Sequence, residues 1–213
     1  MEPLYTKIFG IIQRFVLLNK LHIVRLLFFT EILLVLFACS GVVAVTQNNL
    51  LIPVLALIGK KLGTLSVVLL CFVVIPGIFR RLQCFTIVRV TVMSIRRHLG
   101  ILMYLTGVIH SLFTYWMPRF IFGPTPLQYF QIFGMVTLSL GFPLFLTSND
   151  FSVKLLKKMW DVLHKGVYIM LFFVSLHLLF LGNGLGIIVF ILVIMECVSY
   201  LYSTRHHDHT ITR

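Results

Sequence analysis

Histidines inside apolar segments are the residues of this sequence best suited to chemistry. The chain has eight histidines, and hydrophobic residues make up 59% of it. Four of the histidines, His98, His110, His164 and His177, fall on two long apolar segments, two on each. Polar side chains are costly inside a membrane and usually face the interior of a helix bundle or a functional site. Two facing imidazoles can fill both axial positions of a heme iron, with the flat macrocycle packed between helices.

The depth of each histidine along its segment suggests how they pair. Because an α-helix rises about 1.5 Å per residue, His98 and His164 are expected within about 6 Å of one end of their helices. His110 and His177 then lie about 20 and 26 Å from that end. Matched by depth, the pairs are His98 with His164 and His110 with His177, which predicts one or two b-type hemes. The alternative, in which these side chains are core histidines bonded to backbone carbonyls, stays open.

The angular positions of the histidines conflict with a straight helix. At about 100° per residue, the spacing from His98 to His110 rotates one side chain about 120° from the other, and the spacing from His164 to His177 gives about 140°. A bend or a π-bulge is therefore needed for both histidines of a helix to face one partner. Glycines near them (Gly100, Gly107 and Gly166) make such a distortion possible.

The remaining histidines and the cysteines offer weaker chemistry. His22 lies at one end of the first apolar segment, where an interfacial role is favoured over a cofactor role. A polar C-terminal stretch holds His206, His207 and His209, which favours a solvated tail over a metal site. The cysteines are scattered without a Cys-x-x-Cys motif, so neither a disulfide framework nor an iron–sulfur cluster is indicated; they are Cys39, Cys71, Cys84 and Cys197.

Composition limits the class of protein. Charged residues make up 11% of the 213 residues, against about a quarter in a typical soluble domain. This excludes a soluble globular enzyme and a disordered chain, and the length excludes a self-contained NAD(P)H oxidase. The net charge is +12, but the basic residues lie in short segments between apolar runs, which is typical of cytoplasmic loops and not of a nucleic-acid surface.

Six segments are apolar enough and close enough to the required length of about 20 residues to cross a membrane as helices. They are residues 21–45, 62–79, 97–117, 128–147, 160–181 and 184–202, with Pro76-Gly77 expected to end the second. The prediction is an all-α, six-helix integral membrane domain over residues 21–203. An amphipathic N-terminal helix over residues 1–20 is expected to lie on the membrane, and residues 204–213 are expected to form a polar cytoplasmic tail.

The distribution of basic residues predicts the orientation. With the N-terminus inside, fifteen of the 18 Lys and Arg residues fall on the inner side, and Lys60, Lys61 and Arg119 fall on the outer side. Such a bias places both termini in the cytoplasm.

Three motifs resemble those of the ferric-reductase-like transmembrane family. They are Arg96-Arg97-His98-Leu99-Gly100 with His110 ten residues after the glycine, Trp160-x-x-x-His164 followed by Tyr168 and His177, and the stretch from Gly59-Lys60 through Val74-Ile75-Pro76 to Arg80-Arg81. These motifs resemble the third, fifth and second spans of the family, over about residues 55–182. Within the family, the chain is most similar to the heme-binding membrane subunits of periplasmic methionine sulfoxide reductase systems.

The resemblance implies a multi-pass b-type cytochrome of the bacterial inner membrane. It implies that His110 and His177 are heme iron ligands toward the outer side and that His164 is a ligand toward the inner side. His98 departs from the motif of these subunits, and either completes an inner heme or is interfacial. The implied donor is a cytoplasmic flavin reductase or quinol, and the implied acceptor is a periplasmic molybdenum-containing reductase. A link to flavin (FMN) is also implied, although the sequence has no phosphate-cradling glycine loop.

Two other functions stay open. One is a stand-alone membrane reductase that delivers electrons to ferric iron or oxygen. The other is a heme-free transporter or assembly scaffold, although the chain lacks the internal repeat that many transporters have. Among the charged residues, Arg96, Arg97 and Lys165 could hold heme propionates or an anionic donor, or could simply fix the topology. Glu31 and Glu196, the acids within the spans, are expected in structural ion pairs.

Overall fold

The computed structural model describes the backbone of residues 4–211 and the side chains of residues 8–204. Ten α-helices make up almost all of this described part. Their bounds are α1 Leu4–Leu18, α2 Lys20–Gln47, α3 Ile52–Arg81, α4 Thr86–Ser111, α5 Met117–Phe122, α6 Tyr129–Leu146, α7 Asp150–Leu156, α8 Lys158–His164, α9 Gly166–Phe180 and α10 Leu185–Ile211. A 3-10 turn at Asn49–Leu51 leads into α3, and a π-helical turn at Leu112–Trp116 joins α4 to α5.

Six helical segments are long and apolar enough to cross a membrane. They are Lys20–Gln47, Asn49–Arg81, Thr86–Phe122, Tyr129–Leu146, Lys158–Phe180 and Leu185–Thr204. The predicted all-α fold with six spans is therefore confirmed, together with the short helix α1 that precedes them. The second and third spans begin at Asn49 and Thr86, earlier than the predicted residues 62 and 97.

The prediction that Pro76-Gly77 ends the second span was wrong. Both residues are buried within α3, which continues to Arg81. A proline removes one backbone hydrogen bond, but packing against neighbouring helices allows transmembrane helices to tolerate it. That packing is close here, since a Cβ atom on Gly77 would lie 3.2 Å from the hydroxyl of Tyr168 in α9.

The helices pack around a core formed by α3, α4, α6, α9 and α10. The pair α3–α4 and the pair α6–α9 share the largest contacts, and α10 packs against both α9 and α3. Helix α2 packs against α4 and contributes Val45 to a second buried cluster with Ile109 and Phe113. Helix α1 also contacts α4. Buried side chains such as Leu70, Val74 and Leu171 fill the centre. Helices α4 and α9, which carry His110 and His177, are thus part of the core.

The last helix of the chain continues into the predicted polar tail. Helix α10 continues to Ile211, so the first residues of the stretch 204–213 extend a helix. The side chains of His206, His207 and His209 lie outside the described residues, and the prediction of a solvated tail stays a prediction.

Ion pairs join helices that are distant in sequence. Arg81 of α3 pairs with Glu196 of α10 where both side chains are nearly buried, and its guanidinium also reaches the hydroxyls of Ser199 and Tyr168. On α2, Glu31 lies 2.9 Å from His98 Nδ1 of α4. The expectation of a structural ion pair is confirmed for Glu196, and Glu31 forms a hydrogen bond to His98. A third pair, Arg97 with Asp150 at 2.6 Å, is exposed, and the Arg97 guanidinium lowers the pKa of the Asp150 carboxyl.

Substitution of Glu196 tests the buried pair. We expect Glu196→Ala to reduce the free energy of unfolding by about 3 kcal/mol, because it leaves the Arg81 guanidinium buried without its carboxylate. Thermal unfolding of the detergent-purified protein measures the change. The matched control is Asp150→Ala, which breaks the exposed pair and is expected to leave the unfolding temperature almost unchanged. Equal shifts in both variants would contradict a specific role for the buried pair.

Candidate functional site

His110 and His177 face each other across the helix bundle. His110 lies near the end of α4 and His177 near the end of α9, at the depth that the sequence predicts for a pair. The centroids of their rings are 6.4 Å apart, and the ring planes are inclined by 76°. Both rings are half-buried, and that of Phe130 lies 5.9 Å from that of His177.

Each of these rings is held by a backbone carbonyl of a neighbouring helix. His110 Nδ1 lies 2.9 Å from the carbonyl oxygen of Gly59 in α3, and His177 Nδ1 lies 2.7 Å from that of Phe130 in α6. Because a carbonyl oxygen only accepts hydrogen bonds, Nδ1 must be the donor in each neutral ring. Nε2 then carries the lone pair, and among the described residues it has no hydrogen-bond partner. A ring fixed through Nδ1 with a free Nε2 is the usual state of a metal-binding histidine.

Two glycines allow the rings to lie this close to the helices. A Cβ atom on Gly63 of α3 would lie 2.7 Å from His110 Nδ1, and one on Gly134 of α6 would lie 3.0 Å from His177 Nδ1. The sequence analysis missed both residues. Gly59 and Gly63 form a Gly-x-x-x-Gly motif, the spacing at which small residues let membrane helices approach each other, so a signal for Gly63 was present in the sequence.

The helix distortions differ in position from those expected. A π-helical turn begins at Leu112, just after His110, and Thr114 Oγ1 donates to the His110 carbonyl at 2.7 Å. Such turns are frequent at functional sites. Helix α4 is unbroken between His98 and His110, whereas the chain between His164 and His177 is interrupted at Lys165, next to Gly166. The expected distortion is therefore found in the fifth span and not between the two histidines of the third.

His98 and His164 have separate partners. His98 Nδ1 bonds to Glu31, as described above, while His164 Nε2 lies 3.1 Å from Thr147 Oγ1. The ring of His164 also stacks on that of Trp160, with centroids 3.9 Å apart. In the described part of the chain no ring contact or hydrogen bond joins His98 to His164. The structure thus brings together the pair His110–His177 and not the pair His98–His164.

The donor set of His110 and His177 fits a heme. The macrocycle itself supplies four nitrogen ligands to iron, so the protein needs to present only one or two axial ligands. Two neutral imidazoles, each with Nδ1 bonded to a carbonyl and each opposed by a glycine, meet that need. By contrast, no group of three or more His, Cys, Asp or Glu side chains that could hold a bare metal ion is found among the described residues.

A comparison with known protein families identifies the family to which this chain belongs. Residues 62–175 match the model of the family described as "Ferric reductase like transmembrane component". This segment covers more than half of the chain and contains His98, His110 and His164, and it ends two residues before His177. The chain therefore belongs to the ferric-reductase-like transmembrane family.

The chain is also similar to individual curated proteins of narrower description. The chain is similar to the protein-methionine-sulfoxide reductase heme-binding subunit MsrQ of Brucella ovis, of Brucella canis and of Brucella abortus. In each case 34% of 97 aligned residues are identical, and the alignment covers 42% of this chain and 43% of the relative. The chain thus matches less than half the length of these relatives. No solved structure matches it.

The close approach at Gly63 generates a stability prediction. Gly63→Ala places a Cβ atom against the pinned ring of His110, so the ring must move and its bond to Gly59 is lost. We expect the free energy of unfolding to fall by about 1–3 kcal/mol, as in other overpacked sites. Gly100→Ala is the matched control, because nothing lies within 4 Å of a Cβ atom there. Helix propensity alone should stabilise that variant by up to about 1 kcal/mol. Thermal unfolding of both variants measures the changes. Equal changes in unfolding temperature for the two variants would contradict the close packing at Gly63.

Proposed function

We propose that this protein binds heme b between His110 and His177 and carries electrons across a membrane. The single observation that supports the proposal is the pair of facing imidazoles, each fixed through Nδ1 to a carbonyl of the next helix. Membership of the ferric-reductase-like family supports it, and so does the similarity to relatives that are named as heme-binding subunits.

The chain's own residues orient the ligands and set their donor strength. The carbonyls of Gly59 and Phe130 accept the Nδ1 hydrogens, which fixes the tautomer, prevents rotation of the rings and makes Nε2 more basic. Heme bound at this place supplies one-electron redox chemistry. The apolar ring of Phe130 lies 5.9 Å from that of His177 and helps to keep water away from it, and exclusion of water is one of the factors that set a heme potential.

We propose that His98 and His164 act mainly as structural groups when one heme is bound. The bond from His98 Nδ1 to Glu31 holds α4 to α2, and the bond between His164 Nε2 and Thr147 holds the start of the fifth span to the end of α6. The Nε2 of His164 is thereby occupied, whereas the bond to Glu31 does not use the Nε2 of His98. Binding of a second heme through the Nε2 of His164 would require the bond to Thr147 to break, and would identify His164 and His98 as inner ligands.

The proposed orientation and partners follow from charge and from the relatives. The end of the bundle that carries Arg80, Arg81, Arg96 and Lys165 faces the cytoplasm under the positive-inside rule, which puts both termini inside and His110 and His177 near the outer face. The protein then lies in a bacterial inner membrane, with residues 21–203 as its membrane domain. A cytoplasmic flavin reductase or a quinol would be the donor, and a periplasmic methionine sulfoxide reductase containing molybdenum would be the acceptor.

Visible spectroscopy of the purified protein tests heme binding. In a dithionite-reduced minus oxidised spectrum, we expect a low-spin b-type signal that is lost in His110→Ala and in His177→Ala, because each variant removes one axial ligand. His22→Ala, which changes an exposed histidine of α2, is the control and should keep the signal. Heme counted per chain in His98→Ala and His164→Ala decides between one heme and two.

The same experiment has outcomes that contradict the proposal. A protein that stays colourless after expression with ample heme would favour a heme-free transporter or scaffold. A spectrum unchanged in both His110→Ala and His177→Ala would show that heme, if bound, is held elsewhere.

Reoxidation of the reduced protein tests the proposed acceptor. We expect the heme band, once reduced without oxygen, to reoxidise rapidly when the periplasmic methionine sulfoxide reductase of the same organism is added with its substrate, because the pair His110–His177 lies near the proposed outer face, where such a partner would dock. Stopped-flow absorbance measures the rate, with the reductase omitted as the control. Equally rapid reoxidation by ferric citrate or oxygen without any partner would instead support a stand-alone reductase.

A further inference from the structure

A cavity opens at the end of the bundle opposite the pair His110–His177. Its volume is about 370 Å³, and its lining includes Arg80, Arg89, Arg96, Tyr168, Pro76 and Val90. Arg80 lies near the end of α3 and Arg89 near the start of α4, on either side of the short turn that joins the helices. The cavity is therefore formed by the α3–α4 corner, with α9 contributing the tyrosine.

The three arginines of this cavity are not neutralised by carboxylates. Within the described part of the chain, the ion pairs are Arg81 with Glu196, Arg97 with Asp150 and His98 with Glu31. None of them includes an arginine of the cavity. Arg96 is half-buried, and its guanidinium lies 3.8 Å from the sulfur of Met93. Three guanidinium groups around one cavity without acidic partners favour an anionic occupant.

The depth of the cavity places it among lipid headgroups. The helical segment Thr86–Phe122 has 37 residues, a length of about 55 Å, whereas the hydrocarbon core of a bilayer is about 30 Å thick. At least one end of this segment must therefore extend into the headgroup region. Arg89 and Arg96 lie within its first eleven residues, at the end where basic residues are concentrated.

The walls of the cavity are both charged and apolar. Val90 and Met93 belong to the lining and are exposed at 38% and 42%, so they lie on the surface that a lipid chain would cover. Arginine binds phosphate oxygens with two parallel hydrogen bonds, and its planar group suits such contacts better than lysine does. A lipid with a charged headgroup and an apolar acyl chain matches this combination of charged and apolar lining residues.

We propose that the cavity binds the phosphate of an anionic phospholipid through Arg80, Arg89 and Arg96, with an acyl chain along Val90 and Met93. Basic pockets between membrane helices on the cytoplasmic side are known to bind such headgroups. The proposal does not depend on heme at His110 and His177. Arg96 is fourteen residues from His110, about 21 Å along α4, so the two sites are separate.

Lipid binding to the detergent-purified protein tests the proposal, whether or not the preparation contains heme. The protein is stripped of lipid in detergent and titrated with phosphatidylglycerol, and bound lipids are counted by native mass spectrometry. We expect the triple variant Arg80→Gln, Arg89→Gln, Arg96→Gln to bind phosphatidylglycerol at least about tenfold more weakly. Phosphatidylcholine should bind weakly to both the variant and the parent protein.

A matched variant separates a site from general surface charge. Lys154→Gln, Lys158→Gln, Lys165→Gln removes the same number of charges from the same end of the bundle but none from the cavity lining. It is expected to keep the affinity for phosphatidylglycerol. Equal losses in both triple variants would overturn the proposal, because they would indicate only diffuse attraction. If the arginine triple variant does not fold, Arg89→Gln alone is expected to weaken binding, and unchanged binding in this variant would overturn the proposal.

Two further measurements test whether the cavity binds another anion in place of a phospholipid. Glycerol 3-phosphate and inorganic phosphate, added at the lipid concentration, should not displace phosphatidylglycerol; displacement would mean that the cavity takes a soluble phosphate ester, and the lipid assignment would be wrong. Heme per chain is expected to be unchanged in the arginine triple variant. Loss of heme with lipid binding retained would assign the arginines to heme propionates and overturn the proposal.

Discussion

Two hydrogen bonds from imidazole Nδ1 to backbone carbonyls connect the site to the rest of the bundle. A helix carbonyl has two lone pairs, so the oxygens of Gly59 and Phe130 can accept a ring hydrogen as well as their helical bond. In a membrane there is no water to substitute for these bonds. The rings of His110 and His177 can therefore keep their orientation only while α3 and α6 stay at their present distance from α4 and α9. The absence of side chains at Gly63 and Gly134 makes that distance possible.

Hydropathy and depth were sufficient to predict the six spans and the pairing of His110 with His177, but not the environment of His98. Depth along a helix follows from residue number, whereas the direction of a side chain depends on whether the helix is straight. Since α4 is unbroken from Thr86 to Ser111, His98 is rotated by about 120° from His110. It therefore meets Glu31 of α2 instead of a partner in the fifth span.

Features that depend on tertiary packing were the least accessible from the sequence. A proline followed by glycine normally indicates the end of a helix, yet α3 passes through Pro76 because Tyr168 and the core of the bundle pack against that turn. The glycine at position 134 has no motif around it, and its importance is visible only from its distance to His177. Gly63, with Gly59 four residues earlier, could have been identified from spacing alone.

The few acidic residues explain how one chain can be both firmly packed and strongly basic. Among the six Asp and Glu residues, Glu31 and Glu196 lie within the bundle and connect α2 to α4 and α10 to α3. Glu196 compensates the Arg81 charge, which would otherwise be costly at that depth, and Glu31 is held by its hydrogen bond to His98. The arginines of the cavity have no such partner in the described part of the chain, and they lie where headgroups can solvate them. The surplus positive charge is thus tolerated at the membrane boundary, where it determines orientation and attracts anions, and not in the core, where it would oppose folding.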